Sequence, residues 1–277
     1  MDRSTARVLR LLGLLEAGRR IELSLRRRDR RALPGAVILG AQKCGTSSLQ
    51  GYLVQHPGVI PPLRKEVHYF DLHHDQGEDW YRAHFGREGA PGLNVDASPY
   101  YLFHPAVPAR MHALLPEAKL VVLLRDPVKR AYSHYWHEHD KGRESLTFEE
   151  AIAAEPSRLG DDEGRLARGE IAQSREHQLH SYLARGRYAE QLERWFALYP
   201  RGQVLVLRFE DFVRDPLEGL NGALGFLGLA PVTSVDLEAR NTRRYPPMAE
   251  ATAAQLRAYF EPHNRRLEAL LGREMGW

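Results

Sequence analysis

The chain has 277 residues, enough for one large α/β domain, and its 43% hydrophobic and 27% charged residues are ordinary for a soluble globular protein. Its formal net charge is only +3 at pH 7, so we expect no nucleic-acid partner. The single cysteine, Cys44, excludes an intramolecular disulfide, and without a sign of an oxidising compartment the cytoplasm is the expected location.

Residues 1–33 are predicted to form a basic amphipathic helix or arm that precedes one domain over residues 34–277. Apolar residues recur at helical spacing over residues 8–15, and seven arginines follow: Arg19, Arg20, Arg26, Arg27, Arg28, Arg30 and Arg31. The apolar stretch is too short to span a bilayer, and no signal-peptide cleavage site follows it. Such a helix more often docks on its own domain or on a second copy than on a membrane, so a homodimer and a peripheral membrane contact both stay open.

Strands and helices alternate along the rest of the chain. Short apolar runs predict buried strands at Ala36–Gly40, Leu93–Ala97, Lys119–Leu124 and Gln203–Leu207. Helical patterns lie at Thr46–Gln55, Pro127–His139, Tyr188–Tyr199 and Glu250–Leu271. The predicted class is therefore α/β, a single domain with a central, mostly parallel sheet flanked by helices. Ligands of such sheets bind beyond the carboxyl ends of the strands.

The first predicted strand runs into a glycine-containing loop, Gly40-Ala-Gln-Lys-Cys-Gly-Thr-Ser-Ser48, that leads into a helix. Unpaired backbone N–H groups and the helix dipole favour a phosphate at such a turn. The loop resembles a P-loop, although its lysine precedes the second glycine. A simple Ser- or Thr-capped helix is the alternative. The residues predicted to hold a phosphate group are Lys43, Cys44, Gly45, Thr46, Ser47 and Ser48.

A second anion site is predicted where the strand Lys119–Leu124 ends. Arg125 stands at its carboxyl end, while Asp126 suits a helix N-cap and Pro127 the first helical position. An ion pair between Arg125 and Asp126 or another carboxylate is the alternative. Two anion sites at adjacent strand ends favour a nucleoside that carries two well-separated anionic groups over a simple triphosphate.

The loop Lys43–Ser48, followed by Arg125 and, eight residues later, Ser133, resembles the sulfotransferases that use 3′-phosphoadenosine 5′-phosphosulfate (PAPS). The resemblance extends from about Ala36 to Trp277 and is closest to the heparan sulfate glucosaminyl 3-O- and N-sulfotransferase branch. Further similar segments are His56-Pro57, Lys65–Asp71, Gly186–Trp195 and Tyr259–Pro262. The resemblance implies transfer of a sulfuryl group from PAPS to a hydroxyl or amine, with 3′-phosphoadenosine 5′-phosphate (PAP) as the product.

The resemblance also implies roles for single residues. The loop would bind the 5′-phosphosulfate, while Arg125 and Ser133 would bind the 3′-phosphate. Lys43 suits stabilisation of the leaving oxygen. Glu66 matches the family's catalytic base, with His68 as the other candidate.

Three further expectations concern the surroundings of these residues. If the segment around Glu66 is extended, Glu66 and His68 point to one face, and the resemblance implies that His68 and Asp71 are neighbours of Glu66 in the acceptor pocket. A closing loop over the 3′-phosphate would contain Thr242, Arg243 and Arg244. Tyr182 or Tyr188 would stack near the adenine or simply pack a helix.

The acceptor is less defined than the donor. The segment Asp71–Asp79 is acidic, which favours a neutral sugar, a glycolipid or a small hydroxylated metabolite over a heavily sulfated polymer. No zinc signature appears among the 13 histidines, and we expect no metal requirement. Carbohydrate or small-molecule acceptors are therefore the expected partners.

Three other functions stay open. Polyanion binding through the N-terminal arginines would be lost in high salt and on deletion of residues 1–31. A P-loop kinase would need a Mg²⁺ ligand, for which Asp96 and Asp211 are candidates, but the P-loop spacing is against it. A catalytically inactive nucleotide-binding protein would bind PAPS without turnover, and the presence of Lys43, Glu66 and His68 is against that.

Overall fold

The computed structural model describes residue 18 and residues 21–27, 29–237 and 245–277. The amphipathic pattern predicted at residues 8–15 lies outside the described residues, so its contacts stay a prediction. Residues 21–26 are helical, and the guanidinium of Arg26 donates a hydrogen bond to the carbonyl of Phe85 at 2.8 Å. This part of the N-terminal segment therefore contacts the domain that follows it.

The sheet has five strands, and every pairing within it is parallel. In chain order they are β1 (Ala36–Gly40), β2 (Val59–Ile60), β3 (Leu93–Ala97), β4 (Lys119–Leu124) and β5 (Val204–Arg208). Their order across the sheet is β2-β3-β1-β4-β5, which confirms the predicted α/β class. The strand β2 was not predicted because two residues are too few to show a pattern.

In the part of the chain that the structure describes, the helices after residue 27 fall between or beyond these strands. They are α1 (Thr46–Leu53), α2 (Glu78–Arg82), α3 (Val107–Leu114), α4 (Pro127–His139), α5 (Phe148–Leu159), α6 (Asp162–Ala167), α7 (Arg175–Leu179), α8 (Tyr188–Phe196), α9 (Phe209–Arg214), α10 (Pro216–Leu227) and α11 (Glu250–Leu271). The predicted bounds of α4 and α11 are confirmed, and α1 and α8 end two and three residues earlier than predicted.

The core lies on both faces of the two central strands. Every residue of β1 is buried, and Leu120–Leu124 of β4 are buried as well. Full burial of one such aliphatic side chain stabilises the fold by about 1.5–3 kcal/mol. Both strands are therefore rigid supports for the loops at their carboxyl ends.

The chain leaves β1 toward β2 and β3 on one side, and leaves β4 toward β5 on the other. A crevice forms where adjacent parallel strands send their connections in opposite directions, and ligands of doubly wound sheets bind there. In this protein the crevice lies between the carboxyl ends of β1 and β4, which is where the phosphate loop and Arg125 begin.

Candidate active site

A cavity of about 730 Å³ opens at this crevice and joins the two predicted anion sites to the predicted base. The predicted residues that line it are Lys43, Gly45, Thr46, Ser47, Ser48, Glu66, His68, Arg125 and Ser133. They come from four separate parts of the chain. The fold therefore brings together residues that the sequence places up to 90 positions apart.

The phosphate loop has a left-handed backbone at Lys43, with φ 71°, and at Gly45. Gly45 has φ 84° and is the N-cap of α1, where no side chain caps the helix. A Cβ at Gly45 would come within 3.0 Å of the Phe209 ring, so both conformation and space require glycine. The predicted alternative of a Ser- or Thr-capped helix is wrong, because Thr46, Ser47 and Ser48 lie inside the first turn. The first-turn N–H groups and the hydroxyls are arranged as an anion site.

Cys44 lies beneath the loop, and its side chain is absent from the described cavity lining. Its Sγ is 3.9 Å from the hydroxyl oxygen of Tyr188, and burial raises the pKa of the thiol to about 11. The thiol is therefore a packing group, so the predicted contact of Cys44 with the nucleotide could only be made by its backbone.

Tyr188 and Tyr182 are also buried and are not among the described residues that line the cavity. Tyr188 donates a hydrogen bond to the carbonyl of Arg125 at 2.8 Å, and Tyr182 donates one to Glu144 at 2.9 Å. Of the two predicted roles, helix packing fits this geometry and stacking near an adenine does not.

At the predicted second anion site, the guanidinium of Arg125 lies over an aromatic ring. Its guanidinium carbon is 4.9 Å from the centroid of Phe209, and one of its N–H groups donates to the carbonyl of Lys43 at 3.2 Å. The carboxylate of Asp126 accepts from the N–H of Val128 at 2.9 Å and caps α4. Within residues 29–237 and 245–277, no carboxylate forms an ion pair with Arg125. The alternative ion pair between Arg125 and Asp126 is therefore not formed.

An extended backbone was the condition under which Glu66 and His68 would point to one face. The segment Lys65–Asp71 does not meet it, because Glu66 and His68 have left-handed backbones with φ 57° and 56°. The two side chains nevertheless meet. His68 Nε2 lies 3.7 Å from Glu66 Oε2, and His68 Nδ1 lies 2.8 Å from Asp71 Oδ2. Lys65 completes the group, since its Nζ is 3.2 Å from Glu66 Oε1 and donates to Ser47 Oγ in the phosphate loop.

These contacts set the charges of the group. Burial by itself raises the pKa of Glu66, but the His68 imidazole 3.7 Å away and the Lys65 ammonium 3.2 Å away outweigh it and lower the pKa to about 2. Burial by itself lowers the pKa of His68, but its contacts with Asp71 and Glu66 outweigh it and raise the pKa to about 10. Near neutral pH the segment therefore presents a carboxylate beside an imidazolium.

The structure adds charged and aromatic residues to the lining that were not predicted as site residues. They include Gln42, Lys65, His137, Glu138, Lys141, Arg143, Arg185, Phe209 and Tyr245. Arg185 is buried, donates to Gln42 Oε1 at 2.5 Å and has its pKa lowered to about 10 by burial. Phe209 directly follows the carboxyl end of β5, so the strand-end rule could have identified it.

Other predicted residues are not at the cavity. Thr242, Arg243 and Arg244 lie outside the described residues, although Tyr245 lines the cavity. Asp96 is buried behind the site, and the carboxylate of Asp211 pairs with Arg214 at 2.9 Å. The two candidate Mg²⁺ ligands of a kinase are therefore not among the described lining residues.

The amino-acid sequence matches the family model described as "Sulfotransferase domain" over residues 33–252. It is 30% identical to heparan sulfate glucosamine 3-O-sulfotransferase 3B1 of Mus musculus over 88% of this chain, and 26% identical to membrane-associated sulfotransferase kil1 of Dictyostelium discoideum, also over 88%. The chain spans 65% and 66% of the lengths of these two relatives.

A sulfotransferase from Alicyclobacillus acidocaldarius has a similar structure. Its crystal structure superposes with a TM-score of 0.73 at 34% identity, covering 88% of this chain and 97% of that one. The shared architecture supports the P-loop-containing α/β fold.

The comparisons overturn the expected cytoplasmic location. A relative that aligns over 88% of the chain is a membrane-associated sulfotransferase, so the prediction is wrong. It was drawn from one cysteine and one short apolar stretch, which limit disulfides and spanning helices but do not specify a compartment. In residues 21–27, 29–237 and 245–277, no helix is both long and apolar enough to cross a membrane.

The family match over residues 33–252 and the similar structure at 34% identity confirm the predicted resemblance. This chain belongs to the sulfotransferase family of transferase enzymes.

Proposed function

We propose that the protein transfers a sulfuryl group from PAPS to a hydroxyl or amine of a carbohydrate or small-molecule acceptor. The observation that carries this proposal is the cavity that joins the phosphate loop, Arg125 with Ser133, and Glu66 with His68. Two anion sites and an acid–base group in one enclosed space match the needs of group transfer from a nucleotide donor.

The residues present fit a nucleotide with two separated anionic groups. The first turn of α1 and the hydroxyls of Thr46, Ser47 and Ser48 suit the 5′-phosphosulfate. Arg125 suits the 3′-phosphate because it has no carboxylate partner among the described residues and its buried Nε has no hydrogen-bond partner there. Ser133, also on the cavity wall, adds a hydroxyl donor, and Thr242, Arg243 and Arg244 stay predicted contacts to the same phosphate.

The chain's own residues account for both ends of the displacement. The acceptor oxygen or nitrogen forms a bond to sulfur while the bond from sulfur to the phosphate oxygen breaks. Lys43 neutralises the charge on that leaving oxygen, which ends as the 5′-phosphate of PAP. The acceptor proton passes to the carboxylate of Glu66 and from there to water.

The charges favour Glu66 over His68 as the base. An imidazole whose pKa is raised to about 10 is protonated near pH 7 and cannot accept a proton, whereas Glu66 is ionised. A bound phosphosulfate would bring negative charge next to Glu66 and compete for Lys65. Both effects raise the pKa of Glu66 and make it a stronger base when the donor is in place.

For the acceptor we propose a carbohydrate, in line with the relative that acts on heparan sulfate glucosamine. The argument from the acidic segment Asp71–Asp79 does not bear on the pocket, because none of those residues is among the described lining. Lys141, Arg143 and Arg185 line the cavity on another wall, with Glu138 beside them.

The test is calorimetric titration of the purified protein with PAP, beside ATP–Mg²⁺, for the wild type and for Arg125→Ala. We expect PAP to bind without added metal, and Arg125→Ala to weaken binding by about 1.5–3 kcal/mol, the scale of a charge-assisted contact. Arg214→Ala is the matched control, since Arg214 is exposed, pairs with Asp211 and is not among the described lining residues.

PAP binding that Arg214→Ala leaves intact and Arg125→Ala weakens would justify an acceptor screen with labelled PAPS. Binding of ATP–Mg²⁺ without binding of PAP would show that the proposal is wrong and that the kinase alternative holds.

A further inference from the structure

Asp96 is a buried carboxylate that the mechanism above does not use. It lies in β3, is fully buried and is not among the described residues that line the cavity. Three hydroxyl groups donate to it: Tyr81 at 3.0 Å and Tyr101 at 3.1 Å to Oδ2, and Ser98 at 3.3 Å to Oδ1. A buried carboxylate with several donors is costly to retain unless it organises the groups around it.

Two of these hydroxyls connect Asp96 to the Lys65–Asp71 segment. The backbone N–H of His68 donates to Ser98 Oγ at 3.0 Å, and the N–H of the next residue, Tyr69, donates to the Tyr101 hydroxyl oxygen at 2.8 Å. Each hydroxyl accepts from the segment and donates to the carboxylate. Asp96 therefore sets the direction of both hydroxyl protons and leaves their lone pairs facing the two amides.

The hydroxyl of Tyr81 is different. It donates to the same oxygen of Asp96, but in the described part of the chain it makes no other hydrogen bond. The Tyr81 ring stacks on the Tyr69 ring, with centroids 4.5 Å apart, and this contact does not depend on the hydroxyl. The chain thus contains two chemically equal hydrogen bonds to one carboxylate, of which only one continues to the segment.

The segment needs such support because its backbone is unfavourable on its own. Glu66 and His68, both non-glycine residues, have φ 57° and 56°, in the left-handed region. Residues in that region persist only where the surrounding structure holds them. The amides of His68 and Tyr69 are the backbone groups next to this turn, and both are held by hydroxyls that bind Asp96.

We propose that Asp96 is a positioning residue that, through Ser98 and Tyr101, holds the amides of His68 and Tyr69 and thereby keeps Glu66 and His68 oriented toward the cavity. The proposal rests on the proposed function, in which Glu66 accepts the acceptor proton. It explains why the two hydroxyls that accept from consecutive amides of the segment both donate to the same buried carboxylate.

The test compares Tyr101→Phe with Tyr81→Phe in the full chain, measuring kcat and KM for PAPS turnover and calorimetric PAP affinity. Each variant removes one hydroxyl from the same carboxylate. We expect Tyr101→Phe to lower kcat about 10- to 100-fold, the scale of a small misplacement of reacting groups, while PAP affinity stays unchanged. Tyr81→Phe should keep kcat within about twofold of the wild type, because the Tyr81 hydroxyl binds Asp96 but no amide of the Lys65–Asp71 segment.

Asp96→Asn should lower kcat at least as much as Tyr101→Phe, since it alters the hydrogen bonds from Ser98 and from Tyr101 together. The proposal is overturned if Asp96→Asn keeps the wild-type kcat. It is also overturned if Tyr101→Phe and Tyr81→Phe lose kcat equally, or if neither loses any.

A second readout separates this inference from the proposed function. The NMR signals of the His68 imidazole should move in Tyr101→Phe and stay in place in Tyr81→Phe, whether or not an acceptor is known. If the wild type does not turn over PAPS but the signals follow this pattern, the proposed function fails and the positioning role stands. Signals that move equally in both variants, or in neither, overturn the positioning role.

Discussion

The two sides of the cavity are built in different ways. The nucleotide-facing side uses the ends of regular elements, with Gly45 at the start of α1 and Arg125 directly after β4, and adds Ser133 from the middle of α4. The opposite side is the Lys65–Asp71 segment, which contains no strand or helix and includes two left-handed non-glycine residues. Backbone geometry places the first set, whereas side chains from the neighbouring β3 region hold the second.

The difference has a chemical basis. A phosphate needs several N–H groups at one point, and a helix N-terminus beside a strand end provides them by its backbone. The cations, Lys43 and Arg125, are added by side chains at the same strand ends. A base needs one side chain at one atom of the acceptor, with its charge set by its neighbours. At Glu66 that setting comes from Lys65 and His68, so changes there should alter catalysis more than nucleotide binding.

The largest expected effect is that of Glu66→Gln. The amide has nearly the same shape but cannot take the acceptor proton, so kcat should fall about 10²- to 10⁴-fold while PAP affinity changes little. Steady-state kinetics with PAPS, together with calorimetry of PAP, measure both quantities.

Glu78→Gln is the matched control for this substitution, because Glu78 pairs with Arg82 in α2 and is not among the described lining residues. A Glu66→Gln variant that keeps kcat within a few-fold of the wild type would remove Glu66 from the role of base.

A smaller effect is expected on the pH dependence of His68→Gln. Burial raises the pKa of Glu66, while its contacts with His68 and Lys65 together lower it to about 2. Removing His68 leaves burial opposed mainly by Lys65, so the pKa of Glu66 should rise toward its ordinary value. The carboxylate would then be protonated at a higher pH, and the acidic limb of the kcat/KM profile should move upward.

His73→Gln tests whether this shift is specific. His73 is close by in the chain, packs against the ring of Trp80 and is not among the described lining residues. The acidic limb of the kcat/KM profile of His73→Gln should coincide with that of the wild type. An acidic limb that stays in place in His68→Gln would mean that His68 does not control the charge of Glu66.

The smallest effect concerns the nucleotide side. Gly45→Ala should destabilise the fold by about 1–2 kcal/mol through its left-handed backbone, with a further cost from the Phe209 ring 3.0 Å away. PAP affinity should fall by less than it does in Arg125→Ala, because the cation and the hydroxyls remain. Thermal unfolding and calorimetry measure the two effects.

Gly89→Ala separates conformation from crowding. Gly89 has φ 77° and no heavy atom within 4 Å of its Cβ position, so only the backbone cost applies there and PAP affinity should be unchanged. Equal destabilisation in both variants, with PAP affinity equally intact, would show that Phe209 does not press on the phosphate loop.

Much of the nucleotide side could be predicted from the sequence. The strands β1 and β4 are short apolar runs with a loop signal directly after them, and Asp126-Pro127 marks the start of α4. Such signals are local, because a buried strand, a turn and a helix N-terminus each have their own composition. The fold class and the two anion sites followed from them together with the family resemblance.

The Lys65–Asp71 segment could be predicted only in part. Its residue types pointed to a base, but the extended backbone considered for the segment is not adopted at Glu66 and His68. Nothing local encodes that turn, because its amides bind hydroxyls about 30 residues further along the chain. Asp96, considered as a Mg²⁺ ligand, is instead a buried acceptor for those hydroxyls.

The sequence by itself determined the elements at whose ends the anion sites are predicted, because hydrophobic period, glycine position and helix caps act over a few residues. The tertiary structure alone decided which side chains meet: Lys65 with Ser47, His68 between Glu66 and Asp71, and Arg125 over Phe209. Those contacts depend on the packing of distant segments. The charge of Glu66, the proposed base, depends in turn on those contacts. The protonation state at the reacting centre is therefore a property of the folded chain and not of the motif.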